Sequence, residues 1–66
     1  MDRIQLGVKL AQIRQSKDKT AQVISHMIGK ASNYVHYVET GKVNVKFDTL
    51  MAICDALEIK PRILFE

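Results

Sequence analysis

The chain has 66 residues, with ten Lys and Arg against seven Asp and Glu, one Cys and one Pro. This length allows one domain with a single small core, and a lone cysteine excludes a disulfide framework. No apolar run approaches the roughly 20 residues of a membrane span, and no signal-peptide core stands at the start. A net charge of +3 is compatible with a nucleic-acid partner, but also with many ordinary cytoplasmic proteins.

Apolar residues recur at helical spacing along nearly the whole chain, which predicts an all-α domain. A first helix is expected after the cap residue Asp2 and should extend to about Ser16. It carries two apolar stripes, which are Leu6, Leu10 and Ile13 on one side and Ile4, Val8 and Ala11 on the other. The second stripe faces either the C-terminal segment or another subunit, and the sequence does not separate these alternatives.

A turn around Asp18 ends this helix, and Thr20 is the expected cap of a second helix that extends to about Ile28. Its buried side should consist of Val23, Ile24, Met27 and Ile28. Gly29 then permits a tight turn into the next helix. Two short helices joined by a turn that contains Gly make a helix-turn-helix.

The stretch from Gly29 to Gly41 divides into two faces at helical spacing. The inward face should carry Val35 and Val38 together with Ala31 and Ile28. The outward face carries Asn33, His36, Tyr37 and Thr40, whose amide, imidazole, phenol and hydroxyl groups can contact the edges of bases. The alternative is a solvated helix with few charges.

A polar connection leads to a fourth helix, predicted from about Lys46 to Leu57. Its core side should consist of Phe47, Leu50, Ile53, Cys54 and Leu57. Cys54 is expected to be a buried, inert thiol, as in a reducing cytoplasm. After a turn at residues 58–60, Pro61 suits the first position of a short fifth helix. The expectation is one five-helix domain over residues 1–66.

These segments resemble the Cro and phage-repressor (XRE-like) helix-turn-helix family from Leu6 to Phe65. The resemblance is carried by LGVKLAQIR, TAQVISHMIG, ASNYVHYVETG and FDTLMAICDALEI, with Gly29, Val35, Val38, Glu39, Gly41, Leu50 and Leu57 in one register. It implies a compact lambda-repressor-like fold whose third helix enters the major groove of DNA. Four positions depart from the family pattern. Asp18 and Lys19 replace a glycine and an apolar residue before Thr20. Ala21 replaces a phosphate-binding Gln, and Ala31 replaces the usual cap of the third helix, which leaves Ser32 as a displaced cap.

The resemblance assigns DNA contacts to individual positions of this chain. The candidates for base contacts are Ser32, Asn33, His36 and Tyr37. The candidates for phosphate contacts are Thr20, Ala21 through its backbone N–H, Lys30, Tyr34, Lys42, Asn44 and Lys46. For each phosphate candidate, a solvated rim is the competing interpretation. Arg14 and Glu39 are expected to form a structural ion pair, as they do in the family.

Catalysis and metal binding find little support in the sequence. Arg14 and Glu39 lack a nucleophile, a second carboxylate or a Gly-rich loop beside them, so they do not suggest an enzyme. His26 and His36 are ten residues apart without nearby Cys or clustered carboxylates, which argues against a metal site. No cofactor is implied.

The predicted function is a cytoplasmic, sequence-specific regulator that binds a palindromic operator in double-stranded DNA and blocks, or less often assists, transcription. It should act as a homodimer through Ile63, Leu64 and Phe65, because one recognition helix contacts too few base pairs for a genomic address. In the alternative arrangement these apolar residues fold back over the first and fourth helices. A different function remains open, namely a protein-binding module of the same fold, such as an antitoxin or anti-repressor.

Overall fold

The computed structural model describes all 66 residues. The chain folds into four α-helices followed by a short 3-10 helix. The helices are α1 (Arg3–Ser16), α2 (Ala21–Met27), α3 (Tyr34–Glu39) and α4 (Phe47–Leu57), and the terminal turn is Pro61–Phe65. The all-α prediction is therefore confirmed. The expected short fifth helix does start at Pro61, but its five residues, Pro61–Phe65, form a 3-10 turn and not an α-helix, beginning with the bond from Ile63 N–H to the Lys60 carbonyl. None of the helices combines the length and apolar character needed to cross a bilayer.

Side-chain caps set the beginnings of α1 and α2 where the sequence predicts them. Asp2 Oδ1 accepts a hydrogen bond from Gln5 N–H at 2.8 Å, and Gln5 Oε1 accepts one from Asp2 N–H at 3.0 Å, which completes a capping box. Thr20 Oγ1 accepts from Val23 N–H at 3.1 Å at the start of α2. These local bonds satisfy N–H groups that have no partner inside the helix.

Tight left-handed turns end α2 and α3, which allows the two helices to lie close together. Gly29 has a φ of 75°, and the chain reverses so that Lys30 N–H donates to the Ser25 carbonyl at 2.9 Å. Gly41 has a φ of 74°, and Lys42 N–H donates to the Tyr37 carbonyl at 2.9 Å. A glycine adopts this conformation without the steric cost that a Cβ atom would add.

The hydrophobic core lies at the centre of the four helices and includes the terminal turn. Its nine buried residues are Leu10, Ile24, Val35, Val38, Leu50, Ile53, Cys54, Leu57 and Leu64. Three residues predicted to be buried are exposed instead, namely Val23, Met27 and Phe47. On α2 the buried stripe is narrower than predicted, since Ile24 and Ser25 are buried while Met27 is 57% exposed. Phe47, at the first position of α4, is 72% exposed, and the first buried residue of that helix is Leu50.

Helices α1 and α3 approach so closely that only glycine fits at position 7. A Cβ atom on Gly7 would lie 2.6 Å from the carbonyl oxygen of Val38, and it would also overlap the carbonyl oxygen of Glu39. Both obstacles are backbone atoms, which a rotamer change cannot move. The sequence predictions gave Gly7 no role, because the third helix that it contacts is about thirty residues away in sequence.

Gly7→Ala should therefore destabilise the fold, even though alanine is the better helix former. We expect a loss of roughly 1 to 3 kcal/mol, the usual range for overpacking a site that must open by shifting backbone. Thermal or urea unfolding measures the loss, with Gln12→Ala at an exposed position of α1 as the control. A Gly7→Ala protein as stable as the Gln12→Ala protein would show that α1 and α3 are not in this close contact.

Cys54 should be a reporter of opening of the core. Burial, with a smaller contribution from the neighbouring Asp55 carboxylate, raises the pKa of its thiol, so the reactive thiolate is disfavoured in the folded protein. At pH 8 we expect an aromatic disulfide reagent to react with folded protein roughly a thousandfold more slowly than with protein unfolded in urea. Comparable rates in the two states would contradict the burial of Cys54.

Candidate nucleic-acid interface

The third helix is shorter than the sequence predicts. It begins at Tyr34 after a turn, so Ala31 is exposed outside the helix and does not share a face with Val35. Ser32 is not a displaced cap, because its hydroxyl lies 2.9 Å from Nε2 of His26 instead. Asn33 occupies the cap position but makes no capping bond with its side chain.

The start of α3 is held by a serine from α2. Ser25 is completely buried, and its Oγ accepts a hydrogen bond from Val35 N–H at 3.0 Å. The same hydroxyl donates to the Ala21 carbonyl at 2.8 Å, so both hydrogen-bonding capacities are used inside the protein. Ser25 thus performs the capping that residues 31–33 do not.

The exposed side chains of Ser32, Asn33, His36 and Tyr37 form one surface, which we call the recognition face. Within it, Asn33 Nδ2 donates to the Tyr37 hydroxyl at 3.0 Å, and the His36 and Tyr37 ring centroids lie 6.1 Å apart. The face offers hydrogen-bond donors and acceptors without a formal charge when histidine is neutral. Such groups suit the edges of base pairs, which also carry neutral donors and acceptors.

Three lysines flank α3 in the chain, with Lys30 before it and Lys42 and Lys46 after it. Lys30 Nζ lies 5.3 Å from the centroid of the Tyr34 ring, and Lys42 Nζ lies 5.7 Å from that of Tyr37. Lys46 is exposed at the residue before α4 and makes no capping bond. The lysine ammonium groups therefore remain available to anions, and two of them are steadied by cation–π contacts.

Two further residues near the interface were missed by the sequence predictions. Arg3 Nη1 donates to Asn44 Oδ1 at 3.1 Å, which brings a cation from the chain start to a predicted phosphate contact 41 residues away. Gln22 is exposed in the first turn of α2, beside the partly buried Ala21. Gln22 could have been identified from the sequence, because it stands two residues after the cap Thr20. The residues next to Arg3, in contrast, do not indicate that it contacts Asn44.

Arg14 and Glu39 join α1 to α3 in a two-bond ion pair. Arg14 Nε lies 2.7 Å from Glu39 Oε2, Arg14 Nη2 lies 3.1 Å from Oε1, and only 14% and 7% of the two side chains are exposed. Arg14 Nη1 also donates to the Lys19 carbonyl at 2.7 Å. The hydrogen bond to Glu39 raises the pKa of Arg14 against the opposing effect of burial, so the guanidinium remains charged. Glu39 is the only carboxylate of α3, and Arg14 offsets its negative charge.

The three predicted interface residues of the terminal turn differ in their exposure. Leu64 is completely buried in the core of the single chain, so it is not available to a partner, and this part of the prediction needs correction. Its burial over the helices follows the alternative arrangement that the sequence left open. Ile63 and Phe65 are exposed, at 37% and 63%. On α1, Ile4 and Val8 are also exposed.

Comparisons with known proteins give a consistent picture. The family model described as helix-turn-helix matches residues 10–64. The crystal structure of the restriction-modification controller protein C.AhdI from Aeromonas hydrophila superposes with a TM-score of 0.91 at 31% identity, covering 97% of this chain and 93% of that one. The clp gene regulator ClgR from C. glutamicum superposes with a TM-score of 0.90 at 24% identity, covering 96% and 82%. No match was found among proteins with curated descriptions.

Removal of one partner of the Arg14–Glu39 pair should destabilise the protein. We expect Arg14→Met and Glu39→Gln each to cost roughly 2 to 4 kcal/mol, slightly below the figure for fully buried pairs because both side chains keep some exposure. Arg14→Met should cost more, since it also leaves the Lys19 carbonyl without its donor. Urea unfolding of both single variants and the double variant measures the coupling. Small losses that simply add in the double variant would contradict a coupled pair.

Proposed function

Because the chain belongs to the Cro and phage-repressor (XRE-like) helix-turn-helix family of DNA-binding transcription regulators, we propose that it binds a specific operator through the major groove and represses transcription. The family is not enzymatic. The observation that carries the proposal is the arrangement around α3, where the recognition face holds no carboxylate, lysines precede and follow the helix, and the only carboxylate of α3, Glu39, is paired with Arg14. The similarity to a restriction-modification controller protein supports a regulatory role. The proposed place of action is the cytoplasm.

We assign base contacts to the recognition face and phosphate contacts to its rim. Asn33 would bond to adenine, His36 and Tyr37 would contact base edges or a thymine methyl group, and Ser32 would make a short contact near the start of α3. The phosphate contacts would come from Thr20, the backbone N–H of Ala21, Lys30, Tyr34, Lys42, Asn44 and Lys46, with Arg3 and Gln22 added by their positions.

A symmetric dimer on a palindromic operator is the assembly that we propose. One copy measures 26 × 23 × 20 Å, so two copies in contact can place their α3 helices in successive major grooves about 34 Å apart. The exposed apolar side chains of Ile63 and Phe65 are available for the interface. The stripe with Ile4 and Val8 is the alternative interface, since these two side chains are exposed as well.

A protein-binding module of the antitoxin or anti-repressor kind is the alternative function. It is favoured by the exposed apolar side chains of Val23, Met27 and Phe47, which the DNA-binding proposal does not use. Such a module would bind DNA weakly and without a preferred site. Selection of binding sites from random duplexes, followed by titration at two salt concentrations, distinguishes the two functions.

The base and phosphate contacts should respond differently to substitution. Asn33→Ala should lose roughly 1 to 3 kcal/mol of binding free energy on the selected site and should discriminate less at one base pair. Lys46→Ala should weaken binding to all duplexes about equally and should flatten the salt dependence. Lys46 is a better probe than Lys42, because the Lys42 ammonium group lies over the Tyr37 ring. If the Asn33→Ala protein lost affinity for all duplexes alike, Asn33 would not be a base contact.

The dimer should depend on exposed residues of the terminal turn. We expect wild type to dimerise at micromolar concentration and Phe65→Asp with Ile63→Ser to be monomeric, while both keep the same circular dichroism. Leu64 is left unchanged because a polar residue there would disrupt the core. Ile4→Ser with Val8→Ser tests the alternative interface in the same sedimentation series. A wild type that remains monomeric and binds one half-site with full affinity would exclude the dimer.

A further inference from the structure

Asn33 occupies the cap position of α3, but its side chain does not cap the helix. Asn33 is the residue before α3, and its carbonyl accepts the first helical bond from Tyr37 N–H at 3.1 Å. An asparagine at this position commonly bonds its side-chain oxygen to an N–H group of the first turn. Here Val35 N–H is already satisfied by Ser25 Oγ, and the Asn33 side chain makes no capping bond.

The amide of Asn33 is bonded to the next turn of the helix instead. Its Nδ2 donates to the Tyr37 hydroxyl at 3.0 Å, across one helical turn. The Tyr37 ring is itself held on two sides, by the Lys42 ammonium group at 5.7 Å and by the His36 ring at 6.1 Å. A chain of local contacts between residues 33 and 42 therefore restrains an exposed amide that would otherwise rotate freely about χ2.

We infer that Tyr37 is a positioning residue that orients the Asn33 amide for adenine. A primary amide has two N–H bonds and one carbonyl oxygen, and the Tyr37 hydroxyl uses one N–H. One N–H and Oδ1 remain, and this pair matches the N7 acceptor and N6 donor that adenine presents in the major groove. A reader fixed in advance loses less rotamer freedom on binding. The inference rests on the proposed function and adds a division of labour within its recognition face.

The competing role for Tyr37 is the direct base contact assigned to it above, that of an independent reader with a base pair of its own. The two roles differ in the base pairs at which substitution of Asn33 and of Tyr37 weakens discrimination between bases. A positioning residue and its partner act on the same base pair, and their effects are not additive. Independent readers act on different base pairs, and their effects add.

The experiment is a double-mutant cycle with Asn33→Ala, Tyr37→Phe and the double variant, titrated on the selected site and on all single base-pair changes of it. Tyr37→Phe keeps the ring but removes the hydroxyl that accepts from Asn33. We expect it to lose about 3- to 10-fold discrimination at the base pair where Asn33→Ala loses its own, as a lost hydrogen bond implies. The double variant should lose no more there than Asn33→Ala alone.

A second measurement tests the bond without DNA. In the free protein, the Asn33 side-chain amide protons should give a distinct NMR pair, and Tyr37→Phe should shift one of them. Gln12→Ala is the control, because Gln12 is exposed on α1 and has no assigned contact with DNA or with Asn33. It should leave the Asn33 amide signals and the discrimination at that base pair unchanged.

Each outcome separates this inference from the proposed function. Losses at one shared base pair that do not add, together with a shifted amide signal, support the positioning role. Losses at different base pairs that add, or unchanged amide signals, overturn the positioning role and leave the regulator intact. A wild type that prefers no DNA site overturns the proposed function and the inference with it.

Discussion

The ion pair between Arg14 and Glu39 is the interaction on which the arrangement of the helices most depends. Through its three hydrogen bonds, Arg14 joins α1 both to α3 and to the turn before α2. A pair buried to this degree gains little net free energy over an apolar replacement, because desolvation of the two charges offsets much of their attraction. Its value lies in specificity. Any shift of α3 along α1 would leave a charge unpaired in a partly buried site, so the pair fixes one register.

This fixed register matters because α3 has no stability of its own. Six residues make fewer than two turns, well below the length at which an isolated helix forms in water. Its conformation is therefore maintained by tertiary contacts, namely the buried Val35 and Val38 and the Ser25 hydroxyl at its start. The absence of a side chain at Gly7 allows α1 to support it at backbone distance. Every residue that supports α3 lies on its inner side, which leaves the outer side chains free for another role.

Much of the fold could be predicted from the sequence, because the relevant signals are local. Asp2 and Thr20 cap α1 and α2 by accepting bonds from N–H groups three residues later. Gly29 and Gly41 follow α2 and α3 in left-handed turns that few other residues adopt readily. The start of α3 could not be predicted in this way. Its cap comes from Ser25, ten residues earlier, and only the packed structure brings that hydroxyl to Val35. A search for local caps therefore places the start too early, at Ala31 and Ser32.

Some exposed apolar residues were predicted to be buried, and the reason is different. Periodicity identifies the centre of an apolar stripe but not its width, so Val23 and Met27 were assigned to the core although only Ile24 and Ser25 of α2 are fully buried. The same limit applies to the candidate interface. Spacing separates Asn33 and Tyr37 from the inward Val35 and Val38, but it does not reveal the hydrogen bond between them. Spacing also does not predict the contact between Arg3 and Asn44, since that contact depends on how the start of the chain packs.

The proposed separation of neutral readers from a charged rim has a consequence for how a protein this small can be selective. Lysines on the rim attract any duplex, and that attraction weakens as salt displaces the counterions it depends on. Hydrogen bonds between neutral groups and base edges release no counterions, so the discrimination that they provide persists as salt rises. Glu39 is the only carboxylate of α3, and because Arg14 offsets its charge, this helix brings no unpaired negative charge toward the phosphates of the proposed DNA partner. The pair that fixes α3 on α1 thus serves both the fold and the proposed recognition of DNA.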